Sequence, residues 1–325
     1  MAQELMSGWG SAIRGVGAQF REFFTQNDLA YTKPWDPVVK TLTSDKAQEI
    51  TSGKTGAGTL TLFDEGASIP KANRYKLYDT TFAHRQYGKQ IEVTYLTLIN
   101  RDWSAQFDEF KDLTISANVT LSKACAQIFN NSFTNSGVAT LNGVRVVTYA
   151  DGVTLASTVH PRVDGGSSQS NASSTGDTLT ETNFETRRIN VLEQLQDDGT
   201  PITVSGDIYL VVPTALEKTA QIITRSDLRS GTANNDVNIY AGGAYKVMSS
   251  VWLGAAGGGS DTRWAVVAPA VARLYLFIRQ RANSDQSINA NTKSTLFDMI
   301  SIWSVGSADW HGTSFSRGDG LAYSG

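Results

Sequence analysis

One stripe constrains this chain more than any other feature. Phe110, Leu113, Ala117, Leu121, Ala124 and Ile128 recur at spacings of three and four, which marks one apolar face of a helix. Asn130-Asn131 and then Asn135-Ser136-Gly137 end the run. About 26 residues at 1.5 Å each make a rod of roughly 39 Å, longer than the usual three or four turns. Cys125 lies beside the stripe and reads as a buried thiol acting as a small hydrophobe.

Residues 1–50 read as an arm. Gly8, Gly10, Gly15 and Gly17 are spaced against helix formation, and Pro34 and Pro37 around Trp35 keep the chain extended. Phe20, Phe23, Phe24 and Trp35 are isolated aromatics without periodicity, expected to lie on a neighbouring chain. From Thr51 to Leu98 the pattern turns to period two. A short strand is expected at Thr59 to Phe63, and two longer ones at Thr81 to Tyr87 and Gln90 to Ile99. Together they predict a projecting two-stranded excursion, and an isolated hairpin is marginal in water. Six Lys and Arg (Lys54, Lys71, Arg74, Lys76, Arg85, Lys89) face four acids there (Asp64, Glu65, Asp79, Glu92). A locally basic loop of this kind suggests docking on another subunit's acidic surface.

Beyond the rod come short strands over Thr140 to Tyr149 and a Gly/Ser-rich run, Asp164 to Asp177, read as an exposed loop. Thr180-Glu181-Thr182-Asn183 opens a second helix carrying Phe184, Ile189, Leu192 and Leu195, stopped by Gly199-Thr200-Pro201. A buried strand over Asp207 to Val212 leads into a third helix, Ala215 to Thr224, with Leu216, Ala220 and Ile223 on its core face. Strand-like runs follow at Tyr245 to Leu253, Arg263 to Ala268, Arg273 to Arg279 and Ser294 to Val305. Helices and strands interleave without a βαβ repeat, so the class is α+β.

Composition removes several classes of function. The 325 residues are 40% hydrophobic and 10% aromatic with a net charge of -3, which excludes a disordered chain. Only 18% are charged, against roughly 25% in ordinary globular proteins. With 28 Lys and Arg against 31 Asp and Glu there is no global basic field for gripping nucleic acid. One cysteine makes no disulfide framework, and no run reaches the roughly 18 apolar residues of a membrane span. Without the apolar core of a signal peptide, the expectation is a soluble chain made in the cytoplasm.

Few residues fall into a chemical motif. Gly53-Lys54-Thr55 imitates the end of a phosphate loop, but Gln48 stands where the first glycine belongs. The three histidines, His84, His160 and His311, are far apart in sequence. His160 with Asp164 four residues on is the most suggestive pair, and a turn anchor beside a Gly-rich loop is the plainer reading. Asp64-Glu65 and Asp197-Asp198 beside glycines are turn chemistry. Asn171-Ala172-Ser173 and Arg317-Gly318-Asp319 spell a glycosylation site and an adhesion tripeptide, neither with supporting context. No catalytic, cofactor-binding or metal-binding residue is assigned, and no cofactor is expected.

The segments His160-Pro161-Arg162-Val163-Asp164-Gly165-Gly166, Leu179 to Glu185, Leu210 to Ala220, Ser226 to Asp236, and Ala308-Asp309-Trp310-His311-Gly312 through Gly320 together resemble the major head subunit of tailed bacteriophages, the Mu-like branch especially. The matches run in consistent order over residues 60 to 320. The resemblance implies the capsid fold shared by tailed phages, herpesvirus floors and encapsulins. It implies an arm at 1–44, an extended loop at 45–97, a peripheral domain with the spine helix at 98–175, an axial domain at 176–272, and a peripheral return at 273–325. The implied function is a major capsid protein closing into an icosahedral shell of hexamers and pentamers around double-stranded DNA; an encapsulin-like compartment is the alternative. Inter-subunit contacts are then expected from Lys54, Asp64, Glu65, Lys71, Arg74 and Lys76 in the loop, and from Phe20, Phe23, Phe24 and Trp35 in the arm. A separate scaffolding protein, a portal, a possible decoration or minor capsid protein and non-specifically held DNA are the implied partners, with no membrane. The implied location is the virion, assembled in the bacterial host cytoplasm.

Overall fold

A computed structural model describes residues 33–53, 55, 59–71, 74, 76–94, 96–97, 104–227, 237–289 and 291–324. The side chains of 104–108 and 110 are not described. The predicted rod is α1, Ser104–Asn130, 27 residues long. Its C-terminal half buries Ala124, Cys125, Ala126, Ile128 and Phe129 in the main core, while Leu113, nearer its start, enters a smaller cluster with Val93, Phe297 and Met299.

Beneath α1 lies a six-stranded sheet. Its path runs β1 (Lys40–Thr43), β10 (Leu274–Ile288), β11 (Thr295–Ser307), β6 (Val144–Val147) and β5 (Val138–Leu141). The strand β4 (Arg85–Val93) pairs antiparallel with β11 from Thr295 to Trp303, and β6 pairs parallel with the same strand at Val305 and Gly306. β11 therefore serves two partners in succession. A Cβ on Gly306 would stand 2.0 Å from the Val147 carbonyl oxygen, so this close approach requires glycine.

A second sheet has the order β12 (Thr313–Ser316), β9 (Trp264–Val267), β7 (Ile208–Pro213), β8 (Tyr245–Ser250). The alternation of its strands divides two cores. Ile208, Leu210 and Val212 of β7, with Trp264 and Val266 of β9, face a cluster that contains Phe184 and Val191 of α2 (Glu181–Leu192) and Ala220 and Ile223 of α3 (Glu217–Arg225). Val211, Ala265 and Val267 face the main core with α1. Both faces are covered, which is why β7 reads as a continuous apolar run. Thr180 caps α2, its side chain accepting from the Asn183 N–H at 3.2 Å. α3 starts after a single 3-10 turn, Thr214–Leu216, and leaves Leu216 only partly buried.

Several expectations need correction. Residues 59–63 form no strand, because no segment of the described chain offers them a ladder. The two strands after residue 80 do not pair with each other. β3 (Thr80–Ala83) turns back on β2 (Gln48–Thr51), whereas β4 leaves for β11. Residues 164–177 are not simply an exposed loop: Asn171, Ala172 and Ser173 are buried, and Ala172 bridges Phe315. β12 lacks the apolar pattern of a strand, yet all four of its residues are buried. It carries the C-terminal residues into the sheet of β7 and β9, so packing continues across the boundary expected at residue 272.

Candidate assembly surfaces

The projecting excursion has a firm root. β2 and β3 pair antiparallel from Gln48↔Ala83 to Thr51↔Thr80, and the Leu77 N–H donates to the Gly53 carbonyl at 2.9 Å. A chain of hydrogen bonds fastens that root to the larger sheet. Ser44 Oγ donates to Glu49 Oε1 at 2.7 Å, while the His84 ring lies 3.1 Å from Ser44 Oγ and 3.0 Å from Ser304 Oγ. The bonds from Ser44 and Lys46 hold Glu49 below the usual carboxylate range, and burial, with Arg279, holds His84 below the usual histidine value.

Beyond the root, residues 59–71 are all exposed and have no regular structure. Leu60 and Leu62 are fully exposed, and Phe63 and Ile69 are exposed as well. Four large apolar side chains within ten residues are left uncovered by the described residues of their own chain. Asp64, Glu65, Lys71, Arg74 and Lys76 are exposed around them. Lys76 pairs with Asp79 at 2.5 Å. Lys54 lies outside the described residues, as do Phe20, Phe23 and Phe24 of the arm.

Trp35 corrects the arm reading. It is 2% exposed and packs in this chain's own main core with Val38, Val39 and Trp303. Pro34 and Pro37 place it in a turn that leads into β1, and the core covers its indole within one chain. A second exposed apolar pair, Val237 and Ile239, flanks Asn238 near the end of α3. The buried Asn238 amide donates to the carbonyls of Ile223 and Ser226, both at 2.8 Å, which turns its neighbours outward. Sequence patterning had not singled out this pair; an asparagine between two β-branched residues after a helix end was the available signal.

The histidines are structural. His160 is 1% exposed, and Asp164 does not orient it, because that carboxylate pairs with Arg162. Asp151, nine residues earlier, lies 2.7 Å from His160 Nδ1, and Asn171 Oδ1 lies 3.1 Å from Nε2. Asn171 is itself buried, so its glycosylation triplet is a packing element. Arg317 and Asp319 pair with each other at 2.9 Å, closing the tripeptide into an internal turn. Among the described residues no group of three or more His, Cys, Asp or Glu could hold a metal ion, and no helix is long and apolar enough to cross a membrane.

Comparison with known proteins agrees with this architecture. A family model described as phage capsid protein matches residues 78–282, more than half of the chain. No curated protein matches it in sequence. Among solved structures, the capsid of an empty GTA particle is similar over 91% of each chain, at 12% identity and a TM-score of 0.55. A chain of Mycobacterium phage Patience is similar over 94% of this chain and 86% of that one, at 11% identity and a TM-score of 0.52. The bacteriophage JBD30 capsid covers 68% of this chain and 90% of its own, at 12% identity and a TM-score of 0.52. At such identities the likeness is one of fold, and the family match adds the identity. Because the family model spans most of the chain, from β3 through the start of β10, the chain belongs to the phage capsid protein family.

Proposed function

We propose that this chain is the major head subunit of a tailed phage, assembling as hexamers and pentamers into an icosahedral shell around double-stranded DNA. The observation that carries this reading is the exposed segment 59–71, with Leu60, Leu62, Phe63 and Ile69 uncovered by the described residues on a root tied to the larger sheet. Burying such side chains gives roughly 1.5–3 kcal/mol each, and another subunit would offer the surface. Lys71, Arg74 and Lys76, with Asp64 and Glu65, would set the register of that contact, and the exposed pair Val237 and Ile239 would meet its counterparts near the capsomer axis. The arm residues Phe20, Phe23 and Phe24, and Lys54, complete the proposed contacts.

In this reading residues 1–44 are the arm, 45–97 the extended loop, 98–175 and 273–325 the peripheral domain, and 176–272 the axial domain. A small net charge limits self-repulsion among many copies. DNA is held without sequence preference, and a scaffolding protein, a portal and a decoration or minor protein are the further partners, with assembly in the host cytoplasm. We assign no catalytic role. The Mu-like affiliation rests on the sequence segments alone. Negative-stain microscopy of the purified chain tests the proposal: closed shells support it, and a monodisperse monomer under all assembly conditions overturns it. Particles from infected cells that carry protein cargo and no nucleic-acid absorbance would move the assignment to an encapsulin-like compartment.

A further inference from the structure

The segment 308–312 crosses from β11 in the first sheet to β12 in the second, and its side chains are buried. Trp310 stacks on His311 at 3.9 Å and on His160 at 4.4 Å. His311 Nδ1 lies 2.6 Å from Asp309 Oδ1, and Nε2 lies 3.0 Å from the Leu195 carbonyl oxygen. A carbonyl oxygen can only accept, and a carboxylate can only accept, so each ring nitrogen needs a proton to make its bond. Either neutral tautomer would aim a lone pair at one of these oxygens. His84 is different: Ser44 Oγ gives its proton to Glu49 and accepts from Nε2, while the Ser304 hydroxyl can donate to Nδ1, so one ring proton serves both bonds.

We propose that His311 is a buried imidazolium whose proton clasps the crossover between the two sheets to the turn that leaves α2. Asp309 and Asp197 flank the ring, and the remaining charged and titratable groups around it are Arg273 near Asp309, Asp164 near Asp197, Tyr149, and the Asp151–His160 pair beyond Trp310. Burial alone would lower the ring's proton affinity, but Asp309 and then Asp197 hold it above the ordinary histidine value. Burial likewise opposes charge on Asp309, and His311 nevertheless keeps that carboxyl below its usual range. Gln194 adds two bonds that do not titrate, accepting from the Gly312 N–H at 2.7 Å and donating to the Thr313 carbonyl at 2.9 Å. The proton is therefore the variable part of the joint. Its loss leaves Asp309 and Asp197 facing one another's charge in a buried site, and the turn around 194–200 loosens.

A histidine raised in the folded state contributes stability that is complete below its ordinary value and is lost as pH rises through the folded value. Nitrogen-15 NMR of the full chain, with His311 assigned through its backbone connectivity to Gly312, reads the ring directly. Both ring nitrogens should carry protons at about pH 7.5, a full unit above the ordinary histidine value. A ring with one proton at that pH overturns the proposal. Hydrogen exchange supplies the second readout: protection of the Gln196 and Gly199 amides, corrected for intrinsic rate, should fall about tenfold as the ring deprotonates, while β7 amides hold. Protection at 196 and 199 that is flat across the titration also overturns it.

Discussion

Tyr87 of β4 stacks flat on Trp303 of β11, with ring centroids 4.0 Å apart and planes 8° from parallel. The Tyr87 hydroxyl oxygen also accepts the Arg145 N–H at 3.2 Å, so one side chain joins β4, β11 and β6. This contact lies just after the projecting loop returns to the sheet. It makes the loop's exit a fixed point, more than ten positions downstream of the exposed segment 59–71.

Tyr87→Ala should destabilise the monomer by about 2–4 kcal/mol, from lost apolar burial, stacking and the Arg145 bond together. Urea unfolding checks this. A change below about 0.5 kcal/mol would mean that the root is held elsewhere.

The third helix offers a graded comparison. Ile223 is buried against β7 and β9, whereas Leu216, in the preceding 3-10 turn, is only partly covered. Ile223→Ala should cost about 2–4 kcal/mol and Leu216→Ala roughly half as much, because cost follows the apolar area and cavity left behind. Equal losses in thermal or urea denaturation would contradict this placement of the helix.

Tyr78 packs edge-on to Tyr149 at 5.8 Å, so a cut meant to spare the monomer must stop short of it. Replacing residues 60–71 by a short Gly-Ser turn should leave circular dichroism and the melting temperature nearly unchanged while preventing closed shells in electron micrographs. Normal particles from the shortened chain would remove the loop from the assembly argument. The contact made by the intact loop should also weaken as salt rises past the roughly 10 Å screening length of 0.1 M solutions, because Lys71, Arg74 and Lys76 are exposed.

Arg188 grips Glu185 through two bonds, of 2.6 and 2.7 Å, and the Tyr240 hydroxyl donates to the same carboxylate at 2.9 Å. The Arg188 bonds hold Glu185 below its usual range; burial and the Glu185 bond push Tyr240 up to about 12. Stability from Glu185 is present above the ordinary carboxylate value and is lost as pH falls through its lowered one; that from Tyr240 is complete below about 10 and is lost as pH rises through about 12. Glu185→Gln should therefore flatten both limbs of a melting-temperature profile, with an effect near neutral pH of about 1 kcal/mol since the group is partly solvated. A profile that overlays wild type at both extremes would refute the link.

The elements legible in the sequence are those whose cause is local. The stripe from Leu113 to Ile128 has helical period, Thr180 supplies its own cap to α2, and β7 is apolar at every position that two cores cover. The segment 59–71 was legible only in part: its Gly, Pro and charged residues build no core, but the period-two strand expected at Thr59 to Phe63 does not form, because no described segment pairs with it. Partnership was not legible. β4 pairs with a strand some two hundred residues later, and the polar end of β10, Ala282 to Ile288, is a strand only because β11 supplies its ladder. β12 is buried with almost no apolar side chains, because β9 and the 171–173 segment satisfy its backbone. His160 found Asp151 instead of Asp164, and Trp35 found its own core instead of a neighbour's surface. Period and capping act over one or two turns of chain and can be read there. Which buried donor meets which acceptor depends on long-range closure of the sheets, and only the tertiary structure decides it.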